Sequence, residues 1–153
     1  MKHTRGELSY TIAIIIGMAV MIGILSLCKG CYADIINLDI IKQIESSNNP
    51  LAYNKTTKAT GLYQITPICL REYNNYNKAD YILSDMYNPV LCYKVAEWYL
   101  NKRIPQMLKY YNKPITLDNI LISYNAGVAY VVYNKPLKTE TINYIRKYKQ
   151  IRG

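Results

Sequence analysis

The residue in this sequence best placed for acid–base chemistry is Glu45. It follows Leu38 by seven positions and Ile41 by four, which at about 3.6 residues per turn puts its carboxyl on or beside the apolar stripe of a predicted helix over residues 35–46. It also falls in the last turn, where the partial negative charge of a helix end disfavours an ionised acid. Desolvation and dipole push the pKa the same way, upward, and a carboxylic acid kept protonated near neutral pH serves as a general acid. The same spacing fits a glutamate at a frayed helix end that swings into water, and the pattern alone leaves both readings open. Other chemistries are more constrained. His3 is the only histidine and lies near the start of the chain, so a Ser–His or Cys–His nucleophile system in the rest of the sequence is excluded. No Cys/His cluster has metal-ligand spacing, so neither a metal nor a cofactor is expected.

The elements that must position Glu45 follow a distinct leader. Lys2, His3 and Arg5 precede an uncharged stretch from Leu8 to Cys28, and Cys31-Tyr32-Ala33 leads into Asp34. That is the layout of a secretory signal cut after Ala33, and residues 8–28 are also about long enough to remain as a membrane anchor. Either route makes residues 1–33 a signal or anchor segment and residues 34–153 one exported domain, in the periplasm or cell envelope. The whole chain of 153 residues carries 19 Lys plus Arg against 10 Asp plus Glu, a net charge of +9, and removing the leader takes away Lys2, Arg5, Lys29 and Glu7. The remainder stays basic and suits a polyanionic partner. In an oxidising compartment Cys69 and Cys92 either form a disulfide or stay as two buried thiols. The 17 Tyr against no Phe, in a chain rich in Asn, Ile and Lys, reads as coding bias rather than seventeen functional tyrosines.

Beyond residue 46 the pattern is mainly α. Asn48-Asn49-Pro50 stops the first helix. Gly61 opens a segment to about Tyr73 with Leu62, Ile65, Ile68 and Leu70 apolar, and Asn74-Asn75-Tyr76-Asn77 reads as a loop. Asn88-Pro89 starts a helix predicted to run to about Lys102. Thr116 is the N-cap of a helix with Asp118 in its first turn, stopped at Gly127. A last helix is predicted over Thr139 to Gln150. No segment alternates as a long strand does, and there is no internal repeat.

Three strings change the weight on Glu45. Glu45-Ser46, Asn49-Pro50, Ala52 and Gly61-Leu62-Tyr63-Gln64-Ile65-Thr66-Pro67 resemble the first signature of the soluble lytic transglycosylase family, lysozyme-like enzymes that cut bacterial peptidoglycan. Ser123-Tyr124-Asn125-Ala126-Gly127 resembles the second, and Thr139-Glu140-Thr141-Ile142-Asn143-Tyr144-Ile145 the third. The resemblance implies a lysozyme-like helical domain with a glycan-binding cleft, Glu45 as the single acid/base, and 1,6-anhydro ends made without metal or cofactor. It assigns substrate contacts to Ser46, Gln64, Tyr124, Asn125, Glu140 and Tyr144, with the tyrosine of the third motif reaching toward the acid. This chain departs from the family pattern at Tyr63, where Met is usual, and at Asn54, where a serine is common, and its loop to Gln64 is one residue longer. The implied partner is the peptidoglycan glycan strand, with a secretion, conjugation, pilus or phage machine as the setting for a small monomeric enzyme. Three other readings stay open: a hydrolytic lysozyme with Asp80, Asp85 or Asp118 placing water, a non-catalytic wall-binding protein, and a basic nucleic-acid binder. For the last, an export leader and the lack of a nucleic-acid motif are poor credentials, and no nucleic acid is expected.

Overall fold

In the computed structural model, residues 36–153 are described. The signal or anchor expected over residues 1–33, with its span at 8–28, lies outside them.

Helix α1 (Leu38–Ser46) starts where the Asn37 side chain accepts the Asp39 N–H and stops where Ser47 turns left-handed at φ 54°. Its buried side chains are Ile40 and Ile41. They face the C-terminal helix α7 (Thr139–Arg152), which buries Thr141, Tyr144 and Tyr148 along one face. A 2.6 Å hydrogen bond from the Asn37 N–H to the Tyr148 hydroxyl ties the start of α1 to α7. This pairing brings the last motif of the chain over the first.

Between α1 and α2 (Pro67–Asn77) the chain makes two isolated antiparallel bridges, Tyr53 with Thr60 and Thr60 with Ile65. The segment predicted to open at Gly61 is therefore helical only from Pro67, where the Thr66 hydroxyl accepts the Cys69 N–H and proline occupies the first turn. Gly61 serves the turn instead. Its φ is +79°, and a Cβ there would stand 2.1 Å from the Met86 carbonyl oxygen, so no other residue fits.

The predicted loop at Asn74–Asn77 is the last turn of α2. Tertiary packing overrides the weak helix propensity of asparagine: Tyr73 is buried between Tyr81 and Trp98, and the Asn74 amide donates to the Tyr81 carbonyl at 2.8 Å. After a 3-10 turn (Leu83–Tyr87), α3 (Pro89–Trp98) is capped by Asn88 and leads without interruption into a π turn (Tyr99–Arg103) and α4 (Ile104–Tyr110). The sequence reading ended this helix near Lys102. The helix runs on through Pro105, which lacks an N–H and crowds the preceding turn. Widening that turn, with the Ile104 N–H bonded to the Tyr99 carbonyl five residues back, lets the helix continue through the proline.

Helix α5 (Leu117–Ala126) matches its predicted caps, with the Thr116 hydroxyl accepting the Asn119 N–H and Gly127 at φ 96°. The short α6 (Val128–Val132) was not foreseen. α5 packs on α6 and α7, and the core around them includes Leu100, Ile104, Leu108, Ile120 and Leu121. The disulfide alternative for Cys69 and Cys92 is not realised: both are buried free thiols. The Cys92 sulfur lies against the Gly61 turn, and burial raises the pKa of each thiol, which keeps both protonated and unreactive.

Candidate active site

Two adjoining hollows, of about 410 and 350 Å³, share Glu45, Asn54, Gln64, Asn125 and Glu140. Glu45 thus stands where the two meet.

The last turn of α1 delivers Glu45 to this junction. Its residue surface is only half-buried, yet the carboxyl itself is desolvated, and this burial is the main reason its pKa is pushed up to about 7. The hydroxyl of Tyr144 opposes the shift by favouring the ionised form, and the charge of Glu140 reinforces it. Tyr144 reaches Glu45 from α7, one turn after Glu140. Its buried hydroxyl has no hydrogen-bond partner of ordinary geometry, although it is close enough to the Glu45 carboxyl for each to shift the other.

Tyr124 and Asn125 come from the last turn of α5. The Tyr124 hydroxyl is committed to the Tyr63 carbonyl at 2.6 Å, which clamps α5 to the Gly61 turn rather than reaching for substrate. Burial first, and then the negative charge of Glu45, hold its pKa well above the ordinary range. The Asn125 Oδ1 accepts the Thr141 hydroxyl at 2.8 Å, a cross-link between α5 and α7 that leaves its amide N–H groups toward the cleft. Gln64 has a left-handed backbone, φ 49°, a conformation costly for a non-glycine residue and held here by its own side chain. Its Nε2 donates to the carbonyls of Ala52 and Gly61, at 3.3 and 3.0 Å. Only its carbonyl oxygen remains to meet a ligand. Ser46 is the exception among the expected contacts: its hydroxyl returns to the Lys42 carbonyl at 3.0 Å, and it lines neither hollow.

A family model for the transglycosylase SLT domain matches residues 36–144. The chain belongs to the transglycosylase SLT domain family. The matched stretch covers Glu45, Gln64, Tyr124, Asn125, Glu140 and Tyr144, the whole lining of the larger hollow and all of the smaller one's except Lys147. Among curated proteins and among solved structures nothing matches significantly. Membership gives the SLT domain a lysozyme-like helical fold and the family's general activity, lytic transglycosylase action on peptidoglycan.

The three aspartates considered for placing a hydrolytic water stand away from both hollows. Asp85 accepts the Ile82 N–H, Asp118 is paired with Lys149 at 2.8 Å, and neither they nor Asp80 line a hollow. The site also holds residues that the motif reading did not single out: Tyr99 in the π turn lines the larger hollow, Asn143 and Lys147 the smaller. The α7 pair carries a legible signal, since Glu140, Asn143, Tyr144 and Lys147 repeat at helical spacing. Tyr99 lies at the start of the π turn, outside all three motifs.

Proposed function

We propose that this SLT domain cleaves the β-1,4 bond between N-acetylmuramic acid and N-acetylglucosamine without water, leaving 1,6-anhydromuramoyl ends, with Glu45 as the sole acid/base. The observation that carries this reading is the desolvated Glu45 carboxyl, protonated up to about pH 7, at the junction of two hollows. In the first step Glu45 gives its proton to the glycosidic oxygen as the bond from that oxygen to the anomeric carbon breaks. The Glu45 carboxylate then takes the proton of the C6 hydroxyl while that oxygen bonds to the same anomeric carbon. The acid is regenerated, and no group is consumed. Tyr144 is suited to both halves: its hydroxyl can donate to the carboxylate formed midway, and Asn125 and Gln64 offer a donor and an acceptor to hold the sugar.

The chain acts, in this proposal, outside the cytoplasm on the cell wall, where its positive charge favours a substrate rich in carboxylates. Glu140 is the other carboxylate at the junction and would be the base of a hydrolytic reaction, which needs a pair of acids. Digesting purified peptidoglycan with the wild type and with Glu45→Gln, and weighing the products, separates the two. Anhydro ends, lighter by one water than hydrolysed ends, support the proposal, and so does their loss in the variant. Hydrolysed ends, or a fully active Glu45→Gln, refute it.

A further inference from the structure

The smaller hollow holds a cation that the acid/base mechanism does not use. Lys147 follows Tyr144 by three residues and Glu140 by seven, so all three share a face of α7 and line the same cavity. Nearby basic side chains have partners: Lys149 pairs with Asp118, and Arg146 donates to the Asn143 Oδ1 at 2.9 Å. Lys147 makes no ion pair with any described residue. The Arg146 contact also fixes Asn143. An arginine only donates, so the Asn143 carbonyl oxygen is turned toward it and the amide N–H groups remain for the cavity. Asn125 is oriented the same way by Thr141. This side of the cleft therefore presents an ammonium and two amide donors, and the acceptor of Gln64 is turned to the shared wall.

We propose that Lys147, with Asn143 beside it, is a specificity determinant that binds a substrate carboxylate next to the scissile bond, so that the cleft favours strands bearing an ionised carboxyl on the muramic acid residue. The inference rests on the proposed cleavage at Glu45 and names what lies in one of the two hollows. Two sources supply the same chemistry: a free carboxylate of the stem peptide, or the lactyl carboxylate exposed when the peptide has been removed. Lys147 lines the smaller hollow and not the larger. The recognised group therefore sits on one side of the cut alone, which gives the strand a direction in the cleft.

The test compares the full chain with Lys147→Gln and Lys147→Glu on three substrates: peptide-bearing strands, the same strands with their carboxyls amidated, and strands stripped of peptide. The quantity read is kcat/KM on each ionised strand relative to the amidated one. Lys147→Gln is expected to lower this ratio about threefold through KM, the scale of one charge pair at an exposed site. Lys147→Glu is expected to lower it further. Loss on peptide-bearing strands assigns the stem-peptide carboxylate, and loss on stripped strands the lactyl group. A ratio unchanged in both variants, or equal losses on ionised and amidated strands, overturns the proposal. Binding of the three strands in a Glu45→Gln background reads the same preference without turnover. A wild type that binds ionised strands better but cleaves none would refute the cleavage mechanism and not the role of Lys147.

Discussion

Replacing Glu45 with glutamine should stabilise the protein, and only at high pH. Burial raises the folded-state pKa of this carboxyl from 4.5 to about 7, while in the unfolded chain it keeps its ordinary value. Between those two values the folded state holds a proton that the unfolded state has released. Stability therefore falls as pH rises through this window: the contribution is fully present below about 4.5 and lost above about 7. The shift corresponds to about 3 kcal/mol. Glutamine has nearly the same shape and no charge, so the variant lacks this slope, and all other titrations are common to both proteins. Urea unfolding at pH 4, 6 and 8.5 should show the two proteins within about 1 kcal/mol of each other at the lowest pH, with the variant ahead by up to about 3 kcal/mol at the highest. In a thermal melt of a domain this size, that is a Tm gain of about 10 °C. A stability difference that stays constant across the pH series would mean that the carboxyl is solvated. The general-acid role would then lose its physical basis.

Four further outcomes follow from the same geometry. The kcat/KM of the wild type should fall as pH rises through about 7, where Glu45 loses its proton, and a fall centred near 4.5 would count against the burial argument. Tyr144→Phe removes the hydroxyl that favours the ionised acid, so that limb should move to higher pH while kcat drops at least tenfold; removing an unpartnered buried hydroxyl should cost little stability by urea titration. Gly61→Ala forces a Cβ against the Met86 carbonyl at φ +79° and should destabilise by more than about 2 kcal/mol, read as a lowered Tm. Reductant should leave the Tm unchanged, because Cys69 and Cys92 are unbridged.

How much of this was legible in the sequence varies with the range of the interactions involved. α5 could be read almost to the residue because Thr116 and Gly127 are local signals whose hydrogen bonds close within one turn. The start of α2 is harder to read, because the apolar segment from Gly61 begins in a turn and becomes helical only at Pro67. Its glycine is needed for contact with Met86, which lies beyond α2 in the chain and which no local pattern reveals. Asn74–Asn77 failed for a similar reason, since their helix is set by the Tyr73, Tyr81 and Trp98 packing. At the site, Glu45 stood out as an acid on an apolar stripe, but that pattern could not show whether it was buried. The two side chains that modulate its pKa, Tyr144 and Glu140, both belong to α7, and the α1–α7 pairing includes contacts such as Asn37 with Tyr148, separated by 111 residues.

That distance bears on how the site works. The carboxyl belongs to α1, its hydroxyl neighbour and its like-charged neighbour to α7, and the clamp holding α5 to the Gly61 turn to Tyr124. The pKa of Glu45 is therefore a property of the packing of α1 on α7 rather than of the helix that carries it. A small change in that packing admits water, lowers the pKa and disarms the acid without touching it. Tyr148→Phe probes this directly: it removes the hydroxyl that accepts the Asn37 N–H at 2.6 Å and lies one turn beyond Tyr144 on α7. With the N–H left without that acceptor, the domain should lose about 1–3 kcal/mol. If the packing argument holds, the pH limb of kcat/KM moves downward from about 7 toward the ordinary carboxylate range, although Tyr148 lines neither hollow. A variant that loses stability while keeping the limb in place would show that the acid is desolvated by its immediate neighbours alone, and the dependence on helix pairing would have to be abandoned.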